Sequence, residues 1–216
     1  MPLWMLDSDI WFPSPEQSLE DGLLATGGDL SPERLLLAYR SGIFPWFNEG
    51  DPILWWSPDP RFVLYPEDLK ISHSTRQILK RGKFEYRTNT DFEAVIRACA
   101  CVPRPGNGGT WINEDMIAAY MRLHELGYAH SAESWLDGEL AGGLYGVRLG
   151  NIFFGESMFS RVSNASKVAF IHLVRSLQEE GVKLIDCQMY TAYLESMGAT
   201  AIPRKAFLRY LRELVA

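Results

Sequence analysis

Cysteine is scarce in this chain, and its three copies, Cys99, Cys101 and Cys187, match the spacing of neither a disulfide framework nor a metal site. Irregularly spaced cysteines, odd in number, are typical of a reducing compartment, so we expect a cytoplasmic protein. The four histidines, which form no pair with a plausible third ligand, are His73, His124, His130 and His172. The sequence therefore predicts no metal site.

Long apolar runs are also missing. No run approaches the ~20 residues that cross a bilayer, and the N-terminus lacks a basic region followed by an apolar core. There is no internal repeat and no low-complexity tract. With 47% hydrophobic and 22% charged residues, the 216-residue chain has the composition of a globular protein with a sizeable core, and we expect no membrane partner.

An excess of positive charge is absent, because the formal net charge is −6. This value argues against broad, non-specific nucleic-acid binding, which needs many phosphate contacts. One local cluster is nevertheless basic: Arg76, Lys80, Arg81 and Lys83 lie close together, the first two at a helical spacing of four. The cluster is either a solvated surface or a phosphate-binding patch, and its spacing alone does not decide between them.

Two catalytic motifs are lacking as well. No serine stands in a Gly-x-Ser-x-Gly setting, which excludes a nucleophile elbow. Gly142, Gly143 and Gly146 lie inside a predicted strand, so they indicate close backbone approach and not a phosphate loop. The junction at residues 160–164 enters a long predicted helix without any glycine, which makes coenzyme A a poor ligand for this chain.

Three helix starts are well marked, two before the loop at residues 102–109 and one after it. Ser31 caps a helix that ends before Gly42. Thr90 with Glu93 has the spacing of a capping box, which predicts a second helix that reaches about residue 100. Asn113 caps a third helix.

The second half predicts an antiparallel meander followed by alternating helices and strands. Asp137-Gly138 is a tight-hairpin signal between the first two strands. The predicted strands lie at about 129–136, 139–148, 151–159 and 183–188, with a helix over 164–180 before the last of them. This order is α+β and is that of a GNAT-type (acyl-CoA N-acyltransferase-like) domain.

A change of pattern divides the chain in two. The loop at residues 102–109 contains two prolines and three glycines, which is the composition of a domain junction. We therefore predict a small N-terminal α/β domain over residues 1–105 and a catalytic domain over residues 106–216.

Two acidic residues stand inside strands that otherwise look buried. A carboxylate in apolar surroundings is costly unless it is paired or used. Alternate residues of a strand share a face, so Asp186 should point with Gln188, and Glu156 with Met158. If the two strands are neighbours, two carboxylates and an amide converge beside an apolar wall. In the alternative interpretation, Asp186 caps a helix and Glu156 pairs with an arginine.

Several separate blocks make the chain resemble the leucyl/phenylalanyl-tRNA–protein transferases from about residue 12 to residue 211. Their order and combination are specific, although none would suffice alone. The blocks are Gly22-Leu23-Leu24-Ala25, Gly27-Gly28-Asp29-Leu30, Gly42-Ile43-Phe44-Pro45-Trp46-Phe47, Leu54-Trp55-Trp56-Ser57-Pro58-Asp59-Pro60-Arg61, Gly109-Thr110-Trp111-Ile112, His124-Glu125-Leu126-Gly127, Gly155-Glu156-Ser157-Met158-Phe159-Ser160 and Leu184-Ile185-Asp186-Cys187-Gln188.

The resemblance implies roles for the acidic residues and for two tryptophans. Asp186 and Gln188 match the family's catalytic positions, and Glu156 matches an active-site acid. Trp46 and Trp111 would sandwich the terminal adenine of the tRNA, although ordinary core packing would explain either tryptophan alone.

The resemblance also implies which residues hold the donor and the tRNA body. Leu144, Met158 and Ile185 would line a pocket for the apolar amino acid. The tRNA backbone would meet the basic cluster at residues 76–83.

The implied reaction moves Leu, Phe and, less readily, Met from aminoacyl-tRNA to the N-terminal Arg or Lys of an acceptor protein. This transfer marks the acceptor for degradation in the N-degron pathway, and the enzyme would act as a GNAT-like monomer without cofactors. The sequence leaves three alternative functions open. They are an acyl-CoA acetyltransferase, a non-catalytic tRNA-binding module and a peptidoglycan-bridge synthase that uses aminoacyl-tRNA.

Overall fold

A computed structural model describes residues 3–102 and 111–215 of the chain. The predicted boundary at residue 105, and most of the loop proposed as a domain junction, lie outside these residues. Within them, no helix is long and apolar enough to cross a membrane.

The described residues form seven α-helices and eleven β-strands. The helices are α1 (Pro32–Arg40), α2 (His73–Lys80), α3 (Phe92–Ala100), α4 (Glu114–Glu125), α5 (Ala165–Glu179), α6 (Ala192–Ser196) and α7 (Arg204–Leu214). The strands are β1 (Trp4–Leu6), β2 (Leu23–Gly27), β3 (Phe44–Pro45), β4 (Leu54–Trp56), β5 (Arg61–Leu64), β6 (Glu85–Thr88), β7 (Ala129–Leu136), β8 (Glu139–Leu149), β9 (Ile152–Ser160), β10 (Leu184–Gln188) and β11 (Thr200–Ile202).

The strands form two sheets. The larger has seven strands in the order β11-β5-β10-β9-β8-β7-β6, and the smaller has four in the order β1-β2-β4-β3. The strands β7, β8 and β9 form the predicted antiparallel meander, and β10 pairs with β9 in parallel. The α+β class is therefore confirmed. The large sheet includes β5 and β6, which belong to the predicted N-terminal domain, so the two predicted domains do not coincide with the two sheets. The division into two domains stays a prediction.

Local sequence signals account for several element boundaries. The hairpin turn has positive φ at both Asp137 and Gly138, as the Asp-Gly pair predicts. Asn113 accepts a hydrogen bond from the Met116 amide and so caps α4.

The capping box predicted at Thr90 is wrong. The Asp91 side chain caps α3 by accepting from the Ala94 amide. The Thr90 amide instead donates to Oε1 of Glu133, a buried carboxylate that also accepts from the Asp91 amide. Tertiary contact with β7 therefore displaces the local pattern.

A hydrophobic core packs on each face of the large sheet. One core contains Tyr39 of α1, Tyr120 of α4 and Phe154 of β9. The other contains Phe153 of β9 and Phe170 of α5. The adjacent residues Phe153 and Phe154 thus point to opposite faces, as β-strand geometry requires.

The glycines of β8 allow the close approach that the sequence predicts. Gly146 lies opposite Gly155 on β9. A Cβ atom on Gly146 would lie 2.6 Å from two ring carbons of Phe153 and still closer to the Phe154 carbonyl. A Cβ atom on Gly155 would meet only the Asp186 carbonyl, at 3.6 Å, which is ordinary contact.

We expect Gly146→Ala to destabilise the protein by about 1–3 kcal/mol, because the added methyl overlaps the backbone of β9. Urea unfolding measures the change, and Gly155→Ala, on the facing position, is the matched control. The control should stay within about 0.5 kcal/mol of the parent. Equal losses in the two variants would contradict the close approach.

Candidate active site

Two bulges lie close together in the central strands. In β9, Glu156 is an extra residue, because Gly155 pairs with Gly146 and Ser157 pairs with the adjacent Tyr145. A bulge of this kind bends its strand and redirects a side chain. Glu156 therefore leaves the regular alternation of β9.

The second bulge is in β10. Asp186 pairs with Val63 and Gln188 with Phe62, which leaves Cys187 as the extra residue. The parallel pairing of β9 with β10 ends at the Phe154–Asp186 pair. Beyond that pair the backbones of the two strands are no longer paired with each other.

A cavity of about 440 Å³ lies where the pairing of β9 and β10 ends. Residues 155–158 and 185–189 contribute to its wall. The three residues predicted for an apolar pocket, Leu144, Met158 and Ile185, all line it. Trp46 and Trp111, which lie 65 positions apart in the sequence, line it as well.

Asp186 is fully buried and forms an ion pair with Arg61, a residue that is itself 1% exposed. The guanidinium donates from Nε to Oδ1 at 2.8 Å and from Nη2 to Oδ2 at 2.6 Å. Two parallel charge-assisted hydrogen bonds are the strongest arrangement of these two groups. The charge of Asp186 is therefore neutralised within the protein.

Gln188 connects the two acidic residues. Its backbone amide donates to Oδ1 of Asp186 at 2.9 Å, and its side-chain Nε2 donates to Oε1 of Glu156 at 2.9 Å. Its φ of 62° lies in the left-handed region, which is strained for a residue other than glycine. The predicted convergence of two carboxylates and an amide is thus present.

Glu156 lies at the meeting point of two tyrosines from different helices. Tyr39 donates to Oε1 at 2.9 Å, Tyr120 donates to Oε2 at 3.0 Å, and the two hydroxyls contact each other. The two tyrosines supply only two protons for these three oxygen–oxygen contacts. A proton on Oε2 of Glu156 would complete the set, with Oε2 donating to Tyr120, Tyr120 donating to Tyr39 and Tyr39 donating to Oε1.

The electrostatics agree with a carboxyl that holds its proton near neutrality. Burial raises the pKa of Glu156 from 4.5 to about 7, against the opposing effect of the two tyrosine hydrogen bonds. Burial, together with the Glu156 carboxylate, raises the pKa of Tyr39 and of Tyr120 well above the usual value. Both tyrosines are therefore neutral donors at neutral pH.

Two expectations about these side chains are wrong. Glu156 and Met158 do not share a face: the bulge turns Glu156 toward Tyr39 and Tyr120, while Met158 packs on the opposite core. The alternative interpretation also fails. The arginine partner belongs to Asp186 rather than to Glu156.

Three residues of this site were missed by sequence reasoning: Arg61, Tyr39 and Tyr120. The available signal for Arg61 was its position at the start of the apolar run Phe62-Val63-Leu64, where a charge needs a partner. The tyrosines carry no such signal, since each stands among the apolar residues of a helix face.

The remaining candidate residues concern phosphate binding, a nucleophile and a metal site. The basic cluster is exposed, on α2 and just after it, and none of its four residues lines the cavity: Arg76, Lys80, Arg81 and Lys83. Burial raises the pKa of the Cys187 thiol far above its usual value, which argues against a thiolate nucleophile. Among the residues that the structure describes, no three His, Cys, Asp or Glu side chains are grouped to hold a metal.

Two family models match the chain. A model described as leucyl/phenylalanyl-tRNA protein transferase matches residues 63–212, and a model of the N-terminal domain of the same family matches residues 28–59.

Curated relatives with the name leucyl/phenylalanyl-tRNA–protein transferase match nearly the whole chain. The protein from Nitrosospira multiformis is 61% identical over 97% of this chain and 91% of its own length. Those from Nitrosomonas europaea and Chromobacterium violaceum are 60% and 57% identical, over 98% and 94% of this chain and 90% and 88% of their own.

Solved structures give more distant matches. L-PGS from Bacillus licheniformis aligns with a TM-score of 0.42 at 12% identity, over 78% of this chain and 53% of its own. A GCN5-related N-acetyltransferase from Kribbella flavida aligns with a TM-score of 0.38 at 11% identity, over 79% of this chain and 60% of its own. Scores below 0.5 do not by themselves establish a shared fold.

The raised pKa of Glu156 predicts a pH-dependent contribution to stability. Between pH 4.5 and 7 the folded state binds more protons at this site than the unfolded state, so stability falls as pH rises through that window. Glu156→Gln removes the titration. We therefore expect the stability of the variant relative to the parent to increase by up to roughly 3 kcal/mol between pH 4.5 and pH 8.

Urea unfolding at several pH values measures this difference. Glu139→Gln, at an exposed carboxylate, is the control and should show no such trend. A stability difference for Glu156→Gln that stays constant from pH 4.5 to pH 8 would contradict the raised pKa.

Proposed function

The chain belongs to the leucyl/phenylalanyl-tRNA–protein transferase family and is an aminoacyltransferase, and we propose that it transfers Leu, Phe and, less readily, Met to acceptor proteins that begin with Arg or Lys. The observation that supports this proposal most directly is the cavity at which Gln188 and Glu156 meet an apolar wall. The donor side chain, the terminal adenosine of the tRNA and the acceptor amine each require a different part of this cavity.

The apolar part of the cavity is the proposed site of the donor side chain. Leu144, Met158 and Ile185 line it without offering a side-chain hydrogen-bond donor. An apolar pocket excludes polar amino acids well, but it separates Leu, Phe and Met only weakly. This chemistry supports a donor class rather than a single amino acid.

The two tryptophans are the proposed platform for the terminal adenine. Trp46 and Trp111 line the same cavity as the apolar wall. Stacking of a base on an aromatic ring is worth roughly 1–3 kcal/mol and needs no sequence code. A platform beside the apolar wall suits an adenosine joined to an apolar amino acid.

The proposed reaction is aminolysis of an ester. The acceptor's α-amine attacks the aminoacyl carbonyl, a C–N bond forms, the ester C–O bond breaks, and the amine proton ends on the departing ribose oxygen. The ester is already activated, so the step consumes no ATP. An α-amine has a pKa of about 7.7–8.0, so part of it is neutral at cellular pH.

Gln188 is proposed to hold the attacking amine. Its Nε2 donates to Glu156, which fixes the orientation of the amide and leaves its carbonyl oxygen as an acceptor for an N–H group. Positioning of this kind can contribute several kcal/mol to the rate, on the order of the effects of orientation in other enzymes.

The two carboxylates receive different roles in this proposal. Asp186 is an anchor, because its oxygens already bind Arg61 and the Gln188 amide. Glu156 is proposed to accept the amine proton in its ionised form and to return it to the ribose oxygen, because it lines the cavity and binds the Gln188 side chain. A pKa of about 7 leaves part of Glu156 ionised at neutral pH.

The charge of the site also bears on the acceptor. Arg61 neutralises Asp186, so among the described residues that line the cavity Glu156 is left to attract a cationic N-terminal residue. The site is therefore less acidic than two free carboxylates would make it. The ionised form of Glu156 favours Arg and Lys acceptors. The product, with an apolar N-terminus, is proposed to enter the N-degron pathway of the cytoplasm, with the enzyme acting as a monomer.

The exposed basic cluster is the proposed contact for the tRNA body. Arg76, Lys80 and Arg81 form none of the ion pairs found among the described residues. Lys83 is exposed, and its Nζ lies 5.3 Å from the centre of the Phe84 ring. Such free cations suit phosphate contacts.

A transfer assay tests the proposed activity. Purified protein is given tRNA charged with Leu, Phe, Met or a polar amino acid, together with peptides that begin with Arg, Lys, Asp or Glu. We expect transfer of the apolar amino acids to Arg and Lys peptides. Gln188→Ala should be at least about 100-fold slower, the usual size of the loss of a positioning or acid–base group.

Two results would contradict parts of this proposal. Better transfer to peptides that begin with Asp or Glu than to those that begin with Arg or Lys would contradict the electrostatic role of Glu156. Transfer from acetyl-CoA, with none from charged tRNA, would favour an acetyltransferase.

Charge reversal tests the basic cluster. For Arg76→Glu/Lys80→Glu, we expect at least about tenfold weaker tRNA binding. The slope of log K against log salt concentration should fall in magnitude by about two, since each lost phosphate contact lowers it by about one. Lys205→Glu/Arg209→Glu, at two exposed positions of α7, makes the same change of net charge and is the control. Equal losses in both variants would indicate a general charge effect.

A further inference from the structure

We propose that Arg61 is a positioning residue for the transfer reaction, because it holds the segment that contains Trp46 against the strand that contains Gln188. This inference rests on the proposed function and adds to it a residue that contacts neither substrate.

A single guanidinium joins two separate parts of the chain. Its Nε and Nη2 bind both oxygens of Asp186 on β10, and its Nη1 donates to the Gly42 carbonyl at 3.2 Å. Gly42 lies between α1 and β3, the short strand that leads into Trp46. The distance between this turn and β10 is thereby fixed by three hydrogen bonds to one planar group.

Two aromatic rings hold the guanidinium in place. The Arg61 Cζ lies 4.8 Å from the ring centre of Phe44 and 4.6 Å from that of Phe207 on α7. Phe44 itself lines the cavity, two residues before Trp46. Arg61 therefore contacts the wall of the cavity on the tryptophan side.

On the other side, the effect of Arg61 reaches Gln188 through Asp186. Oδ1 of Asp186 accepts from both the Arg61 Nε and the Gln188 backbone amide. That amide belongs to a residue with φ of 62°, a conformation that persists only when its surroundings impose it. Removing the bidentate contact would release the Gln188 backbone and, with it, the side-chain amide.

A lysine cannot replace this function. Its ammonium is a compact charge, whereas the arginine fork presents several donors in one plane. Lysine could therefore neutralise Asp186 while losing the fixed geometry between Gly42 and β10. This difference separates positioning from simple charge balance.

The test is the single-turnover transfer rate of Arg61→Lys at saturating charged tRNA and Arg peptide. We expect a rate at least about tenfold lower, with the salt dependence of tRNA binding equal to that of the parent, because Arg61 is not part of the basic cluster. Arg34→Lys is the matched control: Arg34 is 0% exposed and donates to the carbonyls of Asp7 and Asp9, outside the cavity lining. The control should transfer at the parental rate.

A double-mutant cycle separates positioning from general damage to the fold. Asp186→Asn and Arg61→Lys should each slow transfer, and the double variant should be no slower than the slower single variant, because the two residues act as a unit. If the fold loss in transfer rate of the double variant equals the product of the two single losses, the residues act independently and the proposal is overturned.

A further variant covers the case in which Arg61→Lys does not fold. Arg61→Met/Asp186→Asn removes both buried charges together, which proteins tolerate better than the loss of one partner. This variant should be folded by circular dichroism and slow in transfer. If it is folded and transfers at the parental rate, Arg61 has no positioning role.

Absence of transfer by the parent protein would refute the proposed function. Transfer by the parent together with an equally fast Arg61→Lys variant would refute only the role of Arg61.

Discussion

The buried ion pair between Arg61 and Asp186 is the interaction on which the arrangement of the cavity depends. Its partners are 125 residues apart in the sequence and come from neighbouring antiparallel strands. Loss of either partner would leave an uncompensated buried charge, which is far more costly than the absence of the pair. The ion pair thus makes the position of β10 relative to β5 a condition of stability as well as of chemistry.

The two bulges convert an ordinary sheet into one that contains a cavity. A regular strand would keep Glu156 in alternation with its neighbours and would let β9 and β10 pair along their full length. The extra residues, Glu156 and Cys187, instead accompany the end of the parallel pairing. The space that results is lined on one side by apolar residues and on the other by an amide and a carboxyl group.

Much of the framework could be predicted because its signals are local. Ser31, Asn113 and the Asp137-Gly138 turn act within a few residues of themselves, and all three behave as predicted. The importance of Asp186 and Glu156 was also visible, since a charge inside a buried strand requires a partner. The identity of each partner depended on strand order and register, which the pattern of one strand does not contain. Arg61 and the tyrosines were therefore not predictable in the same way, and the Thr90 capping box failed for the same reason.

The exposed surface of Glu156 has a consequence for ligand binding. Glu156 is partly exposed and lines the cavity, and an empty cavity of this size is open to water. An apolar group that fills the space displaces this water, and further desolvation favours the protonated carboxyl. By thermodynamic reciprocity, occupancy of the cavity and uptake of a proton would then assist each other. The protein would behave near neutral pH as a weak proton sensor whose affinity for an apolar ligand increases as the solution becomes more acidic.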